Sequence, residues 1–160
     1  MTVSAADAVF GAAAPGHLDA LAANNIAMAK ETEGLDLPPA VVHKGVQAVL
    51  DGSHGAQARY FVLTHPRDGA VLAQLMITFE WSDWRAAQVW WVQSVYVPPQ
   101  HRRRGYYRRL YELVREEARK KGAAGVRLYA DADNATAHEA YRRLGMTSHY
   151  SVFEEMFVGY

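Results

Sequence analysis

The chain of 160 residues contains no cysteine, which excludes disulfides, thiolate metal sites and cysteine nucleophiles together. It also lacks net charge: 17 Lys and Arg offset 17 Asp and Glu, so no domain-wide positive field exists to recruit a nucleic acid. No stretch approaches the roughly 18 consecutive apolar residues of a membrane span. The seven histidines show no paired spacing of the HExxH kind, and no metal site is expected. The N-terminus, MTVSAADAVFGAAAPG, has no basic leader and carries Asp7 before any apolar run develops. It does not read as a signal peptide, and a cytoplasmic protein is expected. Internal repeats and low-complexity linkers are missing too. What remains has the balance of a globular protein, half hydrophobic and 21% charged, and residues 1–160 suit a single domain with a core of its own.

The densest information lies in residues 100–122, QHRRRGYYRRLYELVREEARKKG. A strand-like run over 89–97 leads into a basic turn with one glycine, and an amphipathic helix follows. Leu110, Leu113, Val114 and Ala118 recur at helical spacing, Glu116 and Glu117 stand one turn before Lys120 and Lys121, and Gly122 ends the helix. The first N–H groups of a helix lack partners and carry about half a positive charge. Gly105 lets an anion approach the backbone, and Arg102, Arg103 and Arg104 add forked donors suited to a diphosphate. A solvated, purely structural helix entry is the alternative reading of the same residues.

The remaining pattern is mixed. A short strand is expected near Val9 and Phe10, then a helix from Leu18 to about Lys30 with Leu21, Ala22, Ile26 and Ala29 on one face. Pro38 and Pro39 open a second helix whose apolar face is Val42, Val46, Val49 and Leu50, closed by Gly52. Residues 59–64 and 71–81 read as strands joined by the turn HPRDG, with Leu75, Ile77 and Phe79 alternating against Gln74, Met76, Thr78 and Glu80. The 89–97 strand is apolar on both faces, as a covered strand should be. A strand over 125–131 precedes a helix capped by Asp133 or Asn134 that carries Ala137, Ala140, Tyr141 and Leu144 and stops at Gly145. One or two final strands are expected within 147–158. This order predicts one mixed α/β layer structure.

These residues resemble the superfamily of CoA-dependent N-acetyltransferases known as GNAT. Its glycine motif is Arg or Gln, two residues, Gly, one residue, then Gly or Ala, between a central strand and a helix. Residues 102–107 (RRRGYY) occupy those places, with Tyr107 where the family has a small residue. The stretch NATAHEAYRRLGM, 134–146, is similar to the family's later pattern through Asn134, Ala137, Tyr141 and Gly145, with Met146 in the place of an aromatic. The resemblance implies a mostly antiparallel sheet splayed at its middle strands, with about four helices on both faces. It implies acetyl-CoA as cosubstrate and a primary amine of a small molecule or peptide as acceptor. Main-chain groups of Val95 and Val97 would pair with the pantetheine arm, and the turn of Arg102, Arg103, Arg104, Gly105, Tyr106 and Tyr107 would hold the pyrophosphate. Asn134 would lie near the pantetheine, and Tyr141 would point its hydroxyl at the thioester sulfur.

A phenol at neutral pH is a proton donor suited to a departing thiolate, although an aromatic on a buried helix face whose hydroxyl meets a carbonyl is the structural alternative. The general base stays open between Glu80 and a water relayed through Gln93 or Ser94. Around the acceptor, the loops 31–36 and 81–85 would place Glu31, Glu33, Asp36, Glu80 and Asp83 as an acidic rim for a cationic amine, unless these are ordinary loop acids. Trp81, Trp84, Trp90 and Trp91 lie close together in sequence and lead us to expect a homodimer. A non-catalytic acyl-CoA-binding or interaction module of the same fold is the rival function.

Overall fold

The computed structural model describes residues 3–55 and 57–160. Five strands form one sheet in the order β1-β2-β3-β4-β5: β1 (Val9–Ala12), β2 (Ala58–Thr64), β3 (Val71–Ser82), β4 (Ala87–Tyr96) and β5 (Gly125–Leu128). The first three pairings are antiparallel, while β5 joins β4 in parallel. Helices α1 (Leu18–Glu33), α2 (Pro39–Asp51), α3 (Tyr106–Lys120) and α4 (Ala135–Arg143) complete the fold. Among the described residues no helix is long and apolar enough to cross a membrane.

The period-two pattern of β3 sends its residues to two cores. Leu75 and Ile77 join Phe61, Trp90 and Val92 beneath Leu110, Val114 and Ala118 of α3. Met76 faces the opposite side, where Tyr60 and Val62 meet Leu21 and Ala22 of α1 and Val46 of α2. The sheet is thus covered by α3 on one face and by α1 and α2 on the other, so its central strands carry apolar residues on both sides.

Several sequence-based expectations need correction. Asn25 rather than Ile26 is buried on α1. It donates to Tyr60 Oη at 2.9 Å and accepts from Gln74 Nε2 at 2.8 Å, while Asn24 donates to Gln74 Oε1 at 2.8 Å. Gln74, on the supposed polar face of β3, is 0% exposed; α1 covers it and supplies amide partners that offset its desolvation. Helix α1 continues to Glu33, with left-handed Gly34 as its cap and Leu35 N donating to Ala29 O at 3.2 Å. Strand β5 stops at Leu128, short of Asp131. The expected terminal strands are not formed: residues 147–160 adopt neither helix nor strand and do not pair with β5, which stays the edge of the sheet. The tryptophans do not form one patch either. Adjacent strand positions point to opposite faces, so Trp90 is buried at 4% exposure while Trp91 faces the other side, and Trp81 and Trp84, at the end of β3 and in the β3–β4 turn, stand out at 63% and 86%.

Candidate active site

The sheet opens where β4 outruns β5. Their pairing ends at Val92 with Leu128, but β4 continues to Tyr96. On its other side, Gln93 faces Met76 and Tyr96 faces Gln74, so Ser94 and Val95 together oppose Leu75 alone. This is a β-bulge, with Ser94 at φ 50°, and it re-aims the strand at the divergence. The result is a groove of about 580 Å³, bordered by β4, β5, α1, α2 and α4, within the range of small-molecule sites. Gln93, Ser94, Val95, Asn134 and Tyr141 all line it.

Asn134 serves first as the N-cap of α4, its Oδ1 accepting from Ala137 N at 3.0 Å. About two turns later the same helix presents Tyr141. The Tyr141 and Tyr107 rings meet at 6.3 Å and 69°. Burial pushes the Tyr141 phenol above the ordinary tyrosine range, against a smaller opposing pull from the Tyr107 hydroxyl. Burial, then the neighbouring Tyr141, raise Tyr107 further still. Tyr141 lies near enough for that effect but not in hydrogen-bond geometry: the buried Tyr107 hydroxyl has no partner among the described residues.

Between β4 and α3 the turn adopts the conformation its sequence calls for. Arg103 has φ 60° and Gly105 φ 79°, and Gly105 caps α3 with no side chain bonded to the first turn and no acidic residue in it. The first N–H groups of α3 therefore have no side-chain cap and stand beside a left-handed turn, an arrangement that suits an anion. Arg103 and Arg104 are exposed and, among the described residues, neither is held by an ion pair. Arg102 differs. Its guanidinium donates to Glu31 Oε2 at 2.6 Å and to Val97 O at 2.9 Å, and lies 5.3 Å from the Tyr96 ring centroid. Tyr106 is a core residue whose hydroxyl donates to Val3 O.

The expected acidic rim is only partly assembled. Glu33 lines the groove from the last turn of α1. Glu31, on the same turn, accepts from Tyr96 Oη at 2.7 Å as well as from Arg102. Hydrogen bonds from Tyr96 and then Arg102 hold its pKa below the usual glutamate value. Asp36 pairs with Lys30 at 2.7 Å. Glu80 is outside the groove lining: Arg127 Nη1 donates to its Oε1 at 2.9 Å and the Trp91 indole N–H to its Oε2. Asp83 occupies the β3–β4 turn, at the far end of β4 from the groove. Residues the sequence did not single out complete the lining, including Tyr129 and Asp131 just past β5, Tyr160, and Gly45 in mid-α2. Only Gly45 carried a signal, since a glycine inside a helix weakens it. Among the described residues no cluster of three potential metal ligands occurs.

The model of the Acetyltransferase (GNAT) family matches residues 27–146. A possible acetyltransferase from Clostridium difficile 630 is 35% identical, with 95% of this chain and 99% of that one covered and a TM-score of 0.85. The same fold recurs at 14% identity and TM-score 0.74 in a ribosomal-protein-alanine N-acetyltransferase from Brucella melitensis biovar Abortus 2308, covering 94% and 99% of the two chains. It recurs again at 12% identity and TM-score 0.73 in a predicted acetyltransferase with acetyl-CoA from Clostridium acetobutylicum, covering 93% and 96%. No curated protein gives a significant match. The splayed sheet, the glycine turn before α3 and these matches lead to one conclusion: the chain belongs to the GNAT acetyltransferase family.

Proposed function

We propose that the protein transfers an acetyl group from acetyl-CoA to a primary amine by direct attack. The observation that carries this reading is the opening of β4 from β5 at the Ser94 bulge, with Tyr141 on one side of it. The residues present fit the cosubstrate. The α3 N-terminus with Arg103 and Arg104 suits a pyrophosphate, the unpaired edge of β4 at Val95 suits an amide-bearing arm, and the orphaned Tyr107 hydroxyl offers a bond to a ligand atom. Acetyl-CoA, when bound, supplies an acyl group activated by a thiolate leaving group.

Tyr141, kept protonated by burial, donates to the departing sulfur. The amine loses its proton to water at Gln93 and Ser94, both on the groove. An N-acetylating relative with the same fold and another described with acetyl-CoA support the choice of acceptor atom and donor. Release of CoA, followed by thiol titration against a panel of amines, is the test: no release with any amine would overturn turnover.

One observation favours the rival, a non-catalytic acyl-CoA-binding module. Both oxygens of Glu80 are engaged and it does not line the groove, which leaves the site without the carboxylate base expected from sequence. Saturable acetyl-CoA binding without CoA release would establish that alternative. A homodimer also belongs to the proposal, now supported by the exposed apolar chains of residues 150–160 rather than by a tryptophan cluster. Sedimentation at varied concentration measures it, and a monomer at every concentration would remove it.

A further inference from the structure

Gly45 stands inside α2, where only proline is a poorer helix former. The packing does not require it: a Cβ built there meets no heavy atom within 4 Å. Gly45 borders the groove, and the missing side chain enlarges it. Around it the wall is apolar, formed by Val42, Val46 and Val49 of the same helix with Met28 of α1 and Met76 of β3. Methionines adapt to varied apolar shapes.

The acidic complement is small. Glu31 is committed to Tyr96 and Arg102, and Asp36 to Lys30. Glu33 and Asp131 are the carboxylate side chains on the groove lining. That arrangement suits a cation attached to an apolar body, and it leaves at least one charge of a polyamine such as spermidine unmatched in an apolar wall.

We infer that the acceptor is a primary monoamine with an apolar body of arylalkyl size, seated against the α1–α2 wall over Gly45. This rests on the acetyl-transfer reading above. An acyl chain longer than acetyl would fill the same apolar space, but it brings no cation for Glu33 and Asp131. In the reaction the amine nitrogen bonds to the acyl carbon as the carbon–sulfur bond breaks. CoA leaves as the thiol with the Tyr141 proton, which one ammonium proton restores, and the other goes to solvent.

The test compares 2-phenylethylamine, methylamine and spermidine in CoA release by the wild type, Gly45→Phe and Gly45→Leu, with octanoyl-CoA as a donor arm. We expect kcat/KM for 2-phenylethylamine to exceed both others at least about tenfold, and the larger side chains to reduce that preference by about tenfold, mainly through KM. Melting temperatures confirm folding, since both replacements are better helix formers than glycine. Calorimetry of 2-phenylethylamine with the CoA-bound protein reads the groove without turnover. Binding that is lost in Gly45→Phe, with no amine acetylated, supports the groove assignment while the transfer reading fails. Acetylation without apolar preference overturns the groove assignment and leaves transfer standing. So does an unchanged preference in both variants, or a loss confined to octanoyl-CoA.

Discussion

Arg102 and Glu31, 71 positions apart in sequence, join the last turn of α1 to the turn before α3 through a 2.6 Å ion pair. The sequence suggested separate duties for them, an anion donor and an acceptor-side carboxylate. In the fold they neutralise each other, with Tyr96 completing the shell of Glu31. The brace ties one wall of the groove to the turn before α3.

Protonating Glu31 should loosen this brace. Its folded pKa lies below the ordinary glutamate value of 4.5, so the contribution is complete above that value and is lost as pH falls through the folded value. With side chains 42% and 39% exposed, the pair is worth at most about 1 kcal/mol. Melting curves of Glu31→Gln and wild type should differ by a few degrees at pH 7, on the order of 2–4 °C per kcal/mol, and draw together as pH falls below the ordinary glutamate value of 4.5. A constant gap would show that the brace is not the cause.

Because Arg102 is occupied, pyrophosphate binding at the turn before α3 should depend more on Arg103 and Arg104. Charge-assisted bonds are worth about 1.5–3 kcal/mol each, so Arg103→Ala/Arg104→Ala should weaken acetyl-CoA binding at least about tenfold. Gly105→Val adds the strain of a β-branched residue at φ 79°. Unchanged calorimetric affinity in the double variant would show that these arginines hold no phosphate.

Tyr141→Phe should retain acetyl-CoA binding and melting temperature while turnover falls roughly 10²–10⁴-fold. Burial keeps the phenol protonated past the ordinary tyrosine value of 10.0, so a Tyr141-dependent alkaline limb must lie above that pH. A limb below it that persists in Tyr141→Phe belongs to another group.

Gln74→Ala should leave Asn25 Oδ1 and the part-buried Asn24 Nδ2 without their partner, while Asn25 Nδ2 keeps Tyr60. Each unsatisfied buried group costs about 1–3 kcal/mol, and a domain of this size loses on the order of 2–4 °C per kcal/mol. A melting temperature within a degree of wild type would mean that water replaces the glutamine at no cost.

The amino-acid pattern alone determined most of the elements and the glycine turn before α3. Alternation placed Leu75 and Ile77 opposite Met76, helical spacing found Leu110, Val114 and Ala118, and the glycine at 105 marked the turn, because these depend on short-range geometry. The two motifs around Gly105 and Tyr141 likewise pointed to the family. Tertiary structure decided which polar residues were free to act. It bound Glu31 to Arg102 and Glu80 to Arg127, buried Gln74 among amides, and brought Asp131 and Gly45 to one groove. It also left the apolar residues 150–160 outside the sheet. Spacing in a chain fixes which side of an element a residue occupies, but its partner comes from elements distant in sequence, and only their packing selects it.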